Sequence, residues 1–158
     1  SDLNRKKNRY LSNLANILSK RSIVVSNNLH KKLWFNRKTD VVPCGVDFDV
    51  FFPMNKNEAR LQMGIPINKK VILFSSSFNN NVKNYPLAGE AIKKLDNTNV
   101  ITLELKGYKR FEINLLMNLA DIALMTSFRE GSPQFIKEAM ACNLPIVSSS
   151  LSLSLIVR

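Results

Sequence analysis

Between residues 56 and 148, short apolar runs alternate with segments of helical period, and this alternation limits the fold more than any other feature of the chain. Val71-Ile72-Leu73-Phe74, Val100-Ile101-Thr102-Leu103-Glu104-Leu105, Ile122-Ala123-Leu124-Met125 and the run opened by Pro145-Ile146-Val147-Ser148 read as strands. Helices are expected over about 57–63, closed by Gly64, and over 86–95, 111–119 and 132–141. Strands that alternate with helices through short connections predict an α/β fold, a Rossmann-like parallel sheet with helices on both faces. Ligands of such sheets bind beyond the carboxyl ends of the strands. The loops after Phe74, Leu105 and Met125 are therefore expected to converge on one crevice.

The first 45 residues follow a different pattern. Leu3, Tyr10, Leu11, Leu14, Ile17 and Leu18 recur at helical spacing, so residues 2–19 read as an amphipathic helix. Ile23-Val24-Val25 reads as a short buried strand, and Ser26 is placed to cap a second helix running to about Trp34. The extended run from Val41 to Asp47, broken by Pro43 and Gly45, reads as a linker or turn. Phe51, Phe52 and Pro53 follow as an apolar anchor, and Asn79-Asn80-Asn81 reads as a polar loop. From Ser148 to Arg158 the tail alternates Ser and Leu but carries no turn chemistry.

Composition removes several classes of function. A hydrophobic fraction of 45% supports a packed core. No apolar run reaches the roughly 20 residues of a membrane span, and residues 1–10 are too polar for a secretory signal. The chain does not begin with Met and is expected to be cut from something longer. Cys44 and Cys142 lie far apart and the only histidine is His30, so neither a metal spacing nor a disulfide framework follows. A reducing, cytoplasmic setting is the simplest reading. The net charge of +11 draws on Arg5, Lys6, Lys7, Arg9, Lys20, Arg21, Lys31, Lys32, Arg37 and Lys38. It suits either a solvated surface or peripheral contact with an anionic membrane. No nucleic-acid partner is expected: zinc-finger spacing, an RNA-recognition signature and a basic region with interleaved aromatics are all missing.

Glu130 and Glu138 bracket the segment with the most chemical content. Ser132-Pro133 between them reads as a helix start, Ser at the N-cap and Pro at the first helical position. Free N–H groups and the partial positive charge of a helix N-terminus make an anion site. Two carboxylates beside such a site suit a ligand with hydroxyls at both ends and phosphate between them, which is the shape of a nucleotide-sugar.

An ordered set of segments carries a resemblance to a known family. It comprises Gly45-Val46-Asp47, Phe52-Pro53, Lys83-Asn84, Ala120-Asp121-Ile122, Glu130-Gly131-Ser132-Pro133 and the run from Glu138 through Cys142-Asn143-Leu144-Pro145 to Val147. The set resembles glycosyltransferase family 4, retaining enzymes of the GT-B fold in which two Rossmann-like domains face each other across a cleft. Within it the likeness is to the teichuronic acid biosynthesis type, on Phe74-Ser75-Ser76-Ser77-Phe78, Val82-Lys83-Asn84-Tyr85-Pro86-Leu87 and Leu124-Met125-Thr126-Ser127-Phe128. It covers about residues 10–148.

The resemblance implies that residues 1–45 are the end of an N-terminal acceptor domain with its linker. Residues 46–158 would be the first part of a C-terminal, nucleotide-sugar-binding domain, which is incomplete. It implies transfer of a hexosyl unit from a nucleoside-diphosphate sugar to a glycan or lipid-linked acceptor, in polysaccharide or cell-envelope biosynthesis. Glu130 would act near the donor sugar and Lys83 would neutralise the diphosphate leaving group. Glu138 would clamp the ribose hydroxyls. Gly131, Ser132 and Gln134 would face phosphate, as would the Ser77 hydroxyl, and Gly107 and Tyr108 would meet the base. Family members usually carry an Arg a few residues upstream of the lysine, where this chain has Ser76-Ser77-Phe78. Either Lys83 carries the cationic duty alone or Lys106 or Lys109 helps. The one Asp-x-Asp match, Asp47-Phe48-Asp49, lies in the linker motif, so the donor is expected to bind without metal, and no cofactor is expected.

Each assignment has an ordinary counterpart. Glu138 is otherwise an exposed helix glutamate, Glu130 a loop carboxylate at a helix dipole, Lys83 a surface lysine, and Asp121 a helix terminator. For the whole chain the alternatives to a transferase are a non-catalytic nucleotide-binding fragment and a basic membrane-surface module.

Overall fold

The computed structural model describes residues 6–96 and 98–149. The first residues of the expected N-terminal helix and the Ser-Leu tail from residue 150 lie outside this range. Two compact units emerge. One holds residues 6–45 with Glu130–Ser132, and the other holds Val46–Arg129 with residues 133–149.

The first unit contains α1 (Lys6–Leu18), β1 (Ser22–Val24), α2 (Asn27–His30) and β2 (Thr39–Val41). The two strands are parallel, with Ser22 opposite Thr39 and Val24 opposite Val41. Val24, Leu29 and Leu33 form its core, with Val25 and Val41 against them, whereas Ile23, read as part of a buried strand, is exposed because alternate residues of a strand face opposite sides. Here the helical periodicity misleads. Leu11 and Leu18 of the apolar stripe are 70% and 78% exposed, and Tyr10, Leu14 and Ile17 are exposed too. The helix instead buries Asn13 and Asn16. Asn13 Oδ1 accepts the Trp34 N–H at 2.7 Å. Asn16 accepts the hydroxyls of Ser22 and Thr39 and donates to the Phe35 carbonyl. The irregular backbone after α2 has polar groups to satisfy, and amide side chains can serve both its donors and its acceptors. The same contacts explain why α2 stops at His30 rather than near Trp34: the Trp34 N–H is committed to Asn13, not to a helical carbonyl. Ser26 does cap this helix, accepting the Leu29 N–H at 3.4 Å.

The second unit is built on a four-stranded sheet of β3 (Lys70–Phe74), β4 (Val100–Glu104), β5 (Ile122–Met125) and β6 (Ile146–Ser148). Its order is β4-β3-β5-β6 and every pair is parallel. The helices are α3 (Lys56–Gln62), α4 (Tyr85–Lys93), α5 (Arg110–Leu119) and α6 (Gln134–Ala141). On one face Ile72, Phe74 and Leu124 pack against Ala88 of α4, with Phe78, Tyr85 and Ile92 around them. Their neighbours along each strand, Val71, Leu73, Ala123 and Met125, are fully buried and point the other way. There α5 packs on β3, and α6 packs on β6 and α5. Helices thus cover both faces of a parallel sheet, the arrangement that the alternation predicts.

The helix ends follow local chemistry. α3 closes with Gly64 at φ +66°, and the Ile65 N–H reaches back to the Arg60 carbonyl at 2.9 Å. α6 closes the same way on Asn143 at φ +56°, with Leu144 donating to Ala139 at 2.9 Å. The start of α6 corrects an expectation. Pro133, not Ser132, is the N-cap, because its ψ of 100° is extended, and Gln134 is the first helical residue. The polar loop read at Asn79-Asn80-Asn81 ends in a turn of 3₁₀ helix, Asn81–Lys83. Among the described residues no helix is long and apolar enough to cross a membrane.

Candidate functional site

In the second unit the carboxyl ends of β3, β4, β5 and β6 point the same way, and the loops leaving that edge carry most of the candidate residues. The loop after β3 carries Ser77 and Lys83. The loop after β4 carries Gly107 and Tyr108. The connection after β5 leads into α6, which carries Gln134 and, one turn later, Glu138. Glu130, Gly131 and Ser132 lie in that same connection along the chain and group with the first unit.

The β3–α4 loop is heavily cross-braced. Asn80 Oδ1 accepts the Val82 N–H at 3.1 Å, and its amide donates to Ser76 Oγ at 3.3 Å. Ser77 Oγ accepts the Asn79 N–H at 3.4 Å, a short-range turn bond that holds its hydroxyl oxygen on the loop itself. Phe78 occupies the stretch where an arginine is common in the resembling family. Its ring centroid lies 4.0 Å from Tyr85 and 5.9 Å from Phe74, so the side chain anchors the loop in the apolar cluster. The Phe78 N–H donates to Glu104 Oε2 at 2.7 Å. Asn84 then turns the chain with φ +54°, a left-handed conformation that Asn tolerates better than most residues. Lys83 is half-buried at the foot of this turn.

Gly107 sits at φ +82°, where a side chain would be strained, so its backbone form explains the glycine. Tyr108 is 37% exposed beside it.

Glu138 is half-buried. Burial pushes its carboxyl above the ordinary glutamate range, and the Arg110 guanidinium pulls only partly against this. Arg110 also lies 3.8 Å from the Asp47 carboxylate and 5.4 Å from the Phe51 ring centroid. A cation facing Glu138 was not foreseeable, because Arg110 opens a helix and reads as an ordinary terminal residue. Glu104 had a readable signal, an acid ending an otherwise apolar strand at the carboxyl edge.

Asp121 is structural. It accepts the Val71 N–H at 2.8 Å and pairs with Arg60 at 2.8 Å and Lys56 at 3.0 Å. It thus follows α5 as the acid of a partly buried ion network rather than as a cap. Asp47 shapes a turn by accepting the Asp49 N–H at 3.1 Å. Among the described residues no group of three or more His, Cys, Asp and Glu is placed to hold a metal.

No protein-family model and no curated protein matches the sequence. Solved structures do. Sucrose-phosphate synthase from Thermosynechococcus elongatus superposes with a TM-score of 0.70 at 15% identity, over 96% of this chain and 46% of that one. Anabaena Alr3699/HepE, solved in complex with UDP and glucose, gives 0.69 at 20% identity over 94% and 49%. WaaG, a glycosyltransferase involved in lipopolysaccharide biosynthesis, gives 0.63 at 16% identity over 93% and 50%. The chain spans about half the length of these structures. Its fold is the α/β, Rossmann-like fold of GT-B glycosyltransferases.

Proposed function

We propose that this chain is part of a retaining glycosyltransferase of family 4 and that its second unit binds a nucleoside-diphosphate sugar. The observation that carries this reading is the shared carboxyl edge. Lys83 and Glu138 both issue from it, in a fold that resembles HepE, whose structure holds UDP. Lys83 serves as the cation that stabilises the departing diphosphate. Glu138, with Arg110 as its partial counter-charge, accepts from the ribose hydroxyls. The Gln134 N–H at the start of α6 faces phosphate, Ser77 supplies a hydroxyl, and Gly107 and Tyr108 lie toward the base. The resemblance assigns Glu130, Gly131 and Ser132 to the donor sugar and phosphate. The unit transferred is a hexosyl group and the acceptor is a glycan or a lipid-linked sugar of a cell-envelope polysaccharide. Donor binding needs no metal. Residues 1–45 belong to the acceptor side, at the inner face of the membrane.

Calorimetric titration of the chain with UDP, GDP, ADP and CDP tests the reading. One diphosphate binds in the presence of a chelator, and Glu138→Ala abolishes that binding. A chain that binds none of the four, or an alanine variant that binds as well as the parent, removes the basis of the assignment. Binding to anionic lipid vesicles that weakens steeply with salt, with no nucleotide affinity, would favour the basic membrane-surface alternative.

A further inference from the structure

We infer that Thr126 is a positioning residue for Lys83, and that the segment 126–128 after β5 acts as a clamp setting where that lysine meets a diphosphate. The inference rests on the donor-binding reading of Lys83 given above.

The clamp is built from backbone groups. Thr126 Oγ1 donates its single proton between the carbonyls of Lys83, at 3.0 Å, and Asn84, at 2.8 Å. Two residues further on, the Phe128 N–H donates to the Val82 carbonyl at 3.0 Å. Three successive carbonyls, those of Val82, Lys83 and Asn84, are therefore held from one side by the β5 exit. The N–H groups of the same turn are held from the other side by Asn80. Its Oδ1 takes the Val82 N–H at 3.1 Å and its carbonyl takes the Lys83 N–H at 2.9 Å. The Val82–Lys83 peptide is thus held at both its carbonyl and its N–H, and Lys83 has its own N–H and carbonyl both bonded, which fixes the backbone from which the lysine side chain springs. Thr126 itself is 7% exposed, so its hydroxyl is shielded from competing water.

Geometry of this kind matters for a point charge. A lysine ammonium on a flexible stem gains little from a phosphate unless its backbone is placed in advance. The need is greater here because Phe78 is packed into the aromatic cluster and contributes no charge. The turn also carries a conformational cost at Asn84, with φ +54°, and it lasts only if the surroundings over-determine it. The Thr126 hydroxyl bonds the carbonyls of both Lys83 and Asn84, one on each side of the Asn84 Cα.

A double-mutant cycle on the full chain, with UDP as the probe and affinity read by calorimetry, tests this. Thr126→Val keeps the shape and removes the donor, and should weaken UDP about tenfold, a loss of about 1.4 kcal/mol. Thr126→Ser should stay within about twofold of the parent. In a Lys83→Ala background Thr126→Val should change affinity by less than about twofold, because the clamp then has no charge to place. An equal tenfold loss in both backgrounds would assign Thr126 a general structural role and overturn the inference, as would unchanged affinity in the single variant. If Lys83→Ala alone leaves UDP affinity intact, the donor-binding role of the lysine fails first and the clamp with it. Circular dichroism checks folding of each variant. If Thr126→Val does not fold, Thr126→Ala, which places no γ-methyl against the carbonyls, takes its place in the same cycle.

Discussion

The guanidinium of Arg60 meets the carboxylate of Asp121 at 2.8 Å, and this pair ties α3 to the start of β5. Arg60 is only 3% exposed, and its other nitrogens donate to the carbonyls of Leu119 at 3.0 Å and Ile67 at 2.7 Å. Burial by itself pushes the Asp121 carboxyl up, but the Val71 N–H, Lys56 and Arg60 outweigh it, and the net shift is downward from 3.8. The folded state therefore holds this proton less tightly than the unfolded chain. The stabilisation is fully present above the ordinary aspartate range and is lost as pH falls through the lowered value. Asp121→Asn leaves the buried arginine without its counter-charge and should cost about 3 kcal/mol at neutral pH. Urea unfolding at pH 7 measures this. The gap between parent and variant should narrow in a second series below about pH 4; a gap that stays constant would contradict the assignment.

Glu138 behaves in the opposite sense. Burial raises its carboxyl, and Arg110 offsets only part of that. Its ionised form therefore destabilises the fold at neutral pH, and stability recovers as pH falls through the raised value toward the unfolded one at 4.5. Glu138→Gln should raise Tm by about 2 °C at pH 7 while weakening UDP, because an amide offers a diol one acceptor oxygen where a carboxylate offers two. Stability and affinity moving apart is the mark of a group kept for binding. A variant less stable than the parent would identify Glu138 as a structural residue.

Much of the second unit could be read in the sequence because its strands are apolar runs between good punctuation. Val71–Phe74 and Ile122–Met125 are strands as read, and Gly64 ends α3 where a left-handed residue is needed. The first unit was less legible because its periodicity pointed to the wrong face: Leu11 and Leu14 are exposed and Asn13 and Asn16 are buried. Spacing records which residues share a face, not whether the backbone opposite needs apolar cover or hydrogen-bond partners. The start of α6 slipped by one residue because Ser-Pro is a helix opening only if the proline takes a helical ψ, and Pro133 does not. Most candidate site residues share one sheet edge because topology delivers loops there. The groups that hold the carbonyls of Val82 and Lys83 come from Phe128 and Thr126, more than 40 residues away in sequence, and no local pattern announces such a pairing.

Asn143 offers a test of backbone conformation alone. It closes α6 at φ +56° and is exposed, while Leu144 behind it is 5% exposed and returns its N–H to Ala139. Asn enters this region at lower cost than alanine, and glycine at lower cost still. Asn143→Ala should lose about 1 kcal/mol, and Asn143→Gly should equal or exceed the parent in thermal melts. If alanine were tolerated as well as glycine, the helix end would have to differ from the one seen here.

The two cysteines should separate cleanly by reactivity. Cys142 is buried at 5% exposure, and burial, followed by the negative charge of Glu138, pushes its thiol up to about 11. Cys44 is exposed. A thiolate is the reactive species, so at pH 8 very little of Cys142 is competent even where reagent reaches it. An aromatic disulfide reagent at pH 8 should titrate one thiol promptly in the native chain and the second only after denaturant is added. Removing the Glu138 charge should bring the Cys142 thiol back down, so Glu138→Gln in a Cys44→Ser background should react faster than the same background with Glu138 intact. Equal rates in those two chains would mean that the carboxylate does not act on the sulfur, and two prompt thiols in the native parent would mean that α6 does not bury Cys142 as described.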